Sequence, residues 1–278
     1  LGGGILFAVN MLMVMKPVWF GLTDKPHAVR TSFLSAAVWW FIFSLPILIV
    51  VKYRRFAKVS GARAIIADSF RRLWETAKKI AQRRELLLFL AAYWLYYDGV
   101  VTFIKMATDF GLSIGFSSET VMIALLAVQF VAFPSSLLFG SWAGKFGARR
   151  VIITGIIVYL IVIFFGVLFL TRPMHFILFA CLSALAQGGI QALSRSYFAR
   201  LIPPEASAEY FGFYNVVGRM AILGPAMVGV LAQTLFHFGV SSVIASRIGM
   251  ASTALLFLGG GFLLVAADHA RLDALERA

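Results

Sequence analysis

Apolar residues in this chain run in long unbroken blocks rather than alternating with polar ones. About 20 consecutive apolar residues cross the hydrocarbon core of a bilayer as helix. Eight candidate blocks follow one another: Leu1 to Met15, Thr31 to Val51, Leu86 to Phe110, Thr120 to Ala143, Val151 to Leu170, Phe176 to Ser196, Tyr210 to Phe236 and Val243 to Ala267. A membrane barrel would need ten-residue strands of alternating polarity, and these blocks do not alternate. The pattern predicts an all-α polytopic membrane protein. Composition agrees, with 61% hydrophobic and 13% charged residues and a mean hydropathy of +0.90, where soluble domains hold about half and about a quarter. The first block is short and opens without a methionine, a charged flank or a signal-peptide n-region, so the chain is expected to begin inside a span.

The net charge of +13 mostly encodes topology. Of 25 Lys and Arg, 18 lie in the segment Lys52 to Glu85, in the 144–150 turn, in the 195–209 connection or in the tail, which share one face if eight spans alternate. The positive-inside rule makes that face, and the C-terminus, cytoplasmic. No nucleic acid is needed to account for the charge. The segment Lys52 to Glu85 holds 11 basic and 3 acidic residues, and Ile66, Phe70, Leu73, Trp74, Ala77 and Ile80 recur in it at helical spacing. It is expected to form an amphipathic helix along the cytoplasmic surface, in contact with anionic lipid. The domains expected are therefore 1–51, two spans; 52–85, a basic linker; 86–267, six spans; and 268–278, a short tail.

Within the second block Pro46 is expected to kink the helix, and Trp39 and Trp40 to pack against lipid or a neighbouring helix. The 140–150 turn, GSWAGKFGARR, has Gly140, Gly144 and Gly147 for a tight reversal and Lys145, Arg149 and Arg150 to hold the cytoplasmic end of the next helix. In the sixth block Gln187, Gln191 and Ser194 share a helix face, while Gly188 and Gly189 admit a close neighbour. In the seventh, Asn215 and Arg219 are four apart and point the same way, and Gly224 with Pro225 is expected to bend the helix midway. Arg247 stands near the outer end of the eighth, where it can snorkel.

The chain holds no phosphate-binding Gly-rich loop, no His-Glu-x-x-His and no Gly-x-Ser-x-Gly, so no enzymatic chemistry is expected. Its four histidines fall in connections or the tail, which argues against an intramembrane metal site, and the lone Cys181 excludes an intramolecular disulfide. What remains is a set of polar residues inside spans: Asp98, Lys105 and Asp109 in YWLYYDGVVTFIKMATDFG, with Tyr97 beside Asp98, then Gln187, Gln191, Asn215 and Arg219. An ionised side chain at mid-membrane costs roughly 2.5–3.5 kcal/mol on insertion scales and usually faces a bundle interior or an aqueous cavity. Asp98 has two readings. It pins helices by pairing with Arg219 or Lys105, or it binds a charged or zwitterionic solute and passes a proton. Lys105 and Asp109, nearer the outer end, pair with each other or with water.

At YWLYYDGV, QGGIQALSRSYFARLIPPE and EYFGFYNVVGRMAILGP the sequence resembles the vacuolar-effluxer, autophagy-related permease branch of the major facilitator superfamily, which has many bacterial members. The 140–150 turn resembles the superfamily's short loop signature. Gly144 stands where that signature has its acid, which puts in question the gating salt bridge the acid makes in relatives. The resemblance implies a twelve-helix transporter of two six-helix halves joined by a cytoplasmic linker, four helices preceding Leu1, and alternating access around a solute site near mid-membrane. The first and fourth helices of each half line the cavity in that architecture, which places Asp98, Gln187 and Gln191 on it.

The function expected is secondary transport of a small polar solute, with amino acids among the candidates, through a bacterial plasma membrane. The partners are the bilayer, the solute and the preceding helices, without nucleic acid. No cofactor is implied, and proton or other ion coupling through Asp98 rests on a carboxyl in low-dielectric surroundings. The alternatives are a non-transporting receptor or scaffold that uses the basic linker, or an inactive truncated product.

Overall fold

The computed structural model describes residues 2–50 and 62–276, almost wholly helical and without a strand among them. Among the described residues seven helices are long and apolar enough to cross a membrane, with residues 204–237 counted as one, and a shorter apolar helix precedes them. Residues 52–61 of the expected linker and the last two of the tail lie outside the described residues.

The first unit, residues 1–65, is built on a hairpin of α1 (Gly2–Met15) and α2 (Lys25–Val50). Gly21, at φ 69°, ends a short 3-10 turn between them, a left-handed backbone that glycine adopts without Cβ strain. Asp24 caps α2 by accepting the His27 N–H at 2.8 Å. Polar side chains join the two helices: Ser35 donates to Asn10 Oδ1 at 2.7 Å and the Asn10 amide donates to the Ser32 carbonyl at 3.4 Å, the hydrogen bonding that holds helices together where lipid removes the hydrophobic drive. α2 continues as helix through Pro46. Trp39 lies against Phe43 with the two rings tilted by 40°, and Trp40 is exposed.

The second unit, residues 66–278, contains the rest of α3 (Ala62–Gln82) and then α4 (Arg84–Ser113), α5 (Ser118–Phe146), α6 (Ala148–Phe169), α7 (Pro173–Ala199), α8 (Ser207–Arg219), α9 (Leu223–His237) and α10 (Ser242–Glu276). α4 packs chiefly on α10, α7 lies between α5 and α6, and α10 also touches α6 and α9. Small residues set these close approaches. A Cβ on Gly260 would lie 2.8 Å from the Tyr96 backbone nitrogen on α4, and one on Gly189 would lie 2.1 Å from the Phe139 ring on α5. The latter is the neighbour expected beside Gly188 and Gly189.

The apolar stripe of α3 is divided. Ile80 is buried and Leu73 half-buried, while Phe70 and Trp74 stay 70% and 64% exposed. The buried side is fixed at its polar edge by Glu209 at the start of α8, which accepts from Thr76 Oγ1 at 3.4 Å and lies 3.6 Å from the Arg72 guanidinium.

One expectation is corrected. Gly140 and Gly144 are not turn residues, because α5 runs on to Phe146; Gly147 alone, at φ 85°, makes the reversal into α6. Arg247 is half-buried. Its guanidinium donates to the carbonyls of Val167 and Leu170, placing a cation on the unpaired C-terminal end of α6, where the helix dipole favours it.

Candidate functional site

The seventh span is interrupted rather than bent. α8 ends at Arg219 and α9 begins at Leu223, with Met220, Ala221 and Ile222 between them outside either helix. A helix end inside a membrane exposes backbone donors and acceptors that have no water to meet them. The first four N–H positions of α9 are all accounted for. Ile222 N–H donates to the Met220 carbonyl at 3.0 Å. Leu223 N–H donates to Asp98 Oδ2 at 2.9 Å and Gly224 N–H to Asp98 Oδ1 at 3.2 Å. Pro225, the fourth, has no N–H.

The acceptor side is also met from α4, since Trp94 Nε1 donates to the Met220 carbonyl at 2.9 Å. Thr102 Oγ1 donates to Asp98 Oδ1 at 3.3 Å. Trp94, Asp98 and Thr102 are spaced at i, i+4 and i+8, hence one face of α4 serves both sides of the break. Gly224 is the counterpart on α9. A Cβ there would lie 2.0 Å from Thr102 Oγ1 and 3.1 Å from Asp98 Oδ1.

Asp98 is fully buried, 0% exposed, and has no ion pair among the described residues. The expected pairing with Arg219 or Lys105 is therefore corrected. Arg219 closes α8 with its side chain exposed, and Lys105 and Asp109 are exposed and unpaired among the described residues. A buried carboxylate is costly unless hydrogen-bonded, and here two N–H groups, one hydroxyl and the positive end of the α9 dipole take the place of a cation.

Next to the clamp, toward the start of α4, lies an aromatic layer. Tyr93 stacks on Tyr214 of α8 at 4.2 Å and on Tyr97 at 4.9 Å between ring centroids. Tyr96 hydrogen-bonds Ser194 of α7 at 2.8 Å, and Ser194 in turn donates to the Ile190 carbonyl at 2.6 Å, which leaves Tyr96 as donor.

The other expected site residues are placed as follows. Tyr97, Gln187 and Gln191 are half-buried, and Asn215 and Arg219 are exposed. None of the five hydrogen-bonds Asp98 or another of the set among the described residues. Around the α5–α6 reversal Lys145 and Arg150 are exposed and Arg149 is half-buried. Trp94 and Thr102 were not singled out from sequence; their spacing around Asp98 was the available signal, and it has meaning only once a broken helix lies opposite.

The family described as vacuole effluxer Atg22 like matches residues 1–271. The uncharacterized MFS-type transporter YxiO of Bacillus subtilis (strain 168) is 42% identical over 207 residues, 74% of this chain and 48% of the relative. Autophagy-related protein 22-1 of Aspergillus niger is 26% identical over 257 residues, 84% of this chain and 41% of the relative. Autophagy-related protein 22-2 of Aspergillus oryzae is 22% identical over 255 residues, 81% of this chain and 42% of the relative. The chain spans about half the length of the curated relatives it matches. No solved structure matches it. With the family match covering nearly its whole length, the chain belongs to the vacuole effluxer Atg22-like family, within the major facilitator superfamily of membrane transporters.

Proposed function

We propose that the chain is part of a secondary transporter that moves a small polar solute, amino acids among the candidates, by alternating access. The observation that supports this most is the interrupted α8–α9 span braced from α4, since broken helices are a recurring device for solute sites and moving joints in transporters. α8 is tied to α3 through Glu209, α9 packs on α10, and residues 220–222 between them form the joint. Tyr97, Gln187, Gln191, Asn215 and Arg219 keep side-chain polar groups uncommitted to hydrogen bonds among the described residues, and they are the solute contacts in this reading. Lys145, Gly147, Arg149 and Arg150, after Gly140, form its cytoplasmic gate, within a plasma membrane and with the C-terminus inside.

A structural role for Asp98 is favoured by one observation, that both its oxygens already accept hydrogen bonds from within the bundle. In that reading Asp98 sets the joint's geometry and the solute meets the other residues. The test is solute counterflow by the full-length protein in proteoliposomes with amino acids as first substrates, comparing Asp98→Asn and Gln191→Ala. Loss of counterflow with Gln191→Ala, in a protein as stable as the parent, supports the site. Normal transport in both variants removes it, and no transport of any solute by the full-length protein leaves the scaffold reading. Rates indifferent to an imposed pH gradient would sink proton coupling.

A further inference from the structure

A cavity of about 300 Å³ opens between α3, α4 and α8, lined by Ala77 and Ile80, by Leu87, Leu90, Ala91 and Trp94, and by Phe213, Val217 and Met220. The one side-chain N–H in that wall, on Trp94, is already committed to the Met220 carbonyl. The cavity therefore selects an apolar occupant. Arg84 lies three residues before the wall residue Leu87 on α4, on the same side of the helix, and Trp94 is the last α4 residue in the wall. Ten residues of helix separate Arg84 from Trp94, about 15 Å at 1.5 Å per residue, which is the depth of one leaflet in a hydrocarbon core of about 30 Å.

The charges sort themselves around this groove. Arg71 and Arg72 are held by Asp68, Glu75 and Glu209, and Arg83 reaches the Leu201 carbonyl at 3.5 Å. Lys78, Lys79 and Arg84 have no ion pair among the described residues. Lys78 and Lys79 lie between the wall residues Ala77 and Ile80 in sequence, on the exposed side of α3. Lys78 also lies 5.7 Å over the ring of Trp74, which with Phe70 continues the apolar strip of α3 outward. Unpaired cations and exposed aromatic rings on the elements that wall an apolar slot as long as one leaflet suit an anionic amphiphile.

We propose that this groove is a binding site for an anionic phospholipid, one acyl chain lying along α4 down to Trp94 and the phosphate group meeting Lys78, Lys79 and Arg84. The lipid would pack against Met220, the first residue of the α8–α9 break, so its occupancy bears on the joint.

The test is native mass spectrometry of the chain released from bilayers of equal phosphatidylglycerol and phosphatidylcholine. One retained phosphatidylglycerol per chain is expected, at up to about a hundredfold preference from three nearby cations. Ala91→Trp or Val217→Trp, filling the slot from opposite walls, should abolish retention; if one variant fails to fold, the other carries the test. The exposed triple change Lys78→Gln, Lys79→Gln, Arg84→Gln should leave retention but bring the preference to parity. Equal retention of the two lipids by the parent, unchanged retention in a folded wall variant, or unchanged preference in the triple variant would overturn the proposal. So would a high-yield cross-link in the bilayer from Leu87→Cys to a cysteine introduced in residues 1–50, because polypeptide would then fill the groove.

Discussion

Asp98 Oδ2 accepts the backbone N–H of Leu223 at 2.9 Å, across 125 residues of chain. The bond turns an intramembrane carboxylate into the cap of a helix that starts inside the bundle. Asp98→Ala leaves the part-buried Leu223 amide and the buried Gly224 amide without an acceptor, at up to about 1–3 kcal/mol each. Thermal unfolding in detergent should show the loss, and amide exchange at 223 and 224 should rise before exchange elsewhere in α9. Asp98→Asn keeps one acceptor oxygen and should fall between the parent and Ala.

Gly224→Ala is expected to destabilise by more than the ordinary cost of a surface alanine, because the new methyl would meet Thr102. The cause is testable by coupling. In the Gly224→Ala background Thr102→Ala should cost less than in the parent, with an interaction energy of roughly 0.5–3 kcal/mol in a double-mutant cycle. Strict additivity would place the strain elsewhere.

Trp94→Phe removes the donor to the Met220 carbonyl and little else. The expected cost is about 1 kcal/mol, confined to the break, and read as faster exchange of the Ile222 amide with α10 unchanged.

Arg247→Met should cost more than Arg247→Lys, since Lys keeps the cation and loses only the fork that reaches both the Val167 and Leu170 carbonyls. A cation at a partly buried helix C-terminus is worth up to about 2 kcal/mol. Equal melting of the two variants would show that the fork, and not the charge, stabilises this end.

The Arg72 and Arg71 guanidinium groups hold the Asp68 carboxyl below its ordinary range. A depressed acid contributes stability above its unfolded pKa and loses it as pH falls through the folded value. α3 should therefore lose helicity as pH falls below the ordinary carboxylate range, and Asp68→Asn should remove Asp68's share of that loss, in amide exchange of residues 69–76.

The blocks of apolar residues were enough to establish an all-α membrane protein, because no other backbone arrangement satisfies its own hydrogen bonds along 20 oily residues. Gly188 and Gly189 likewise announced a close neighbour, since a missing Cβ is a local property. The partner of Asp98 was not legible. Periodicity places a carboxylate on a face but does not say what lies opposite, and the obvious partners by charge, Lys105 and Arg219, point elsewhere. Gly224 and Pro225 marked a disturbance in the seventh span without saying that it was a full break. Only the packing of α4 against α8 and α9 decided that, because a helix can stop inside the bundle only where another element supplies acceptors and donors for its ends, and Asp98 and Trp94 do so from 120 or more residues away in the chain.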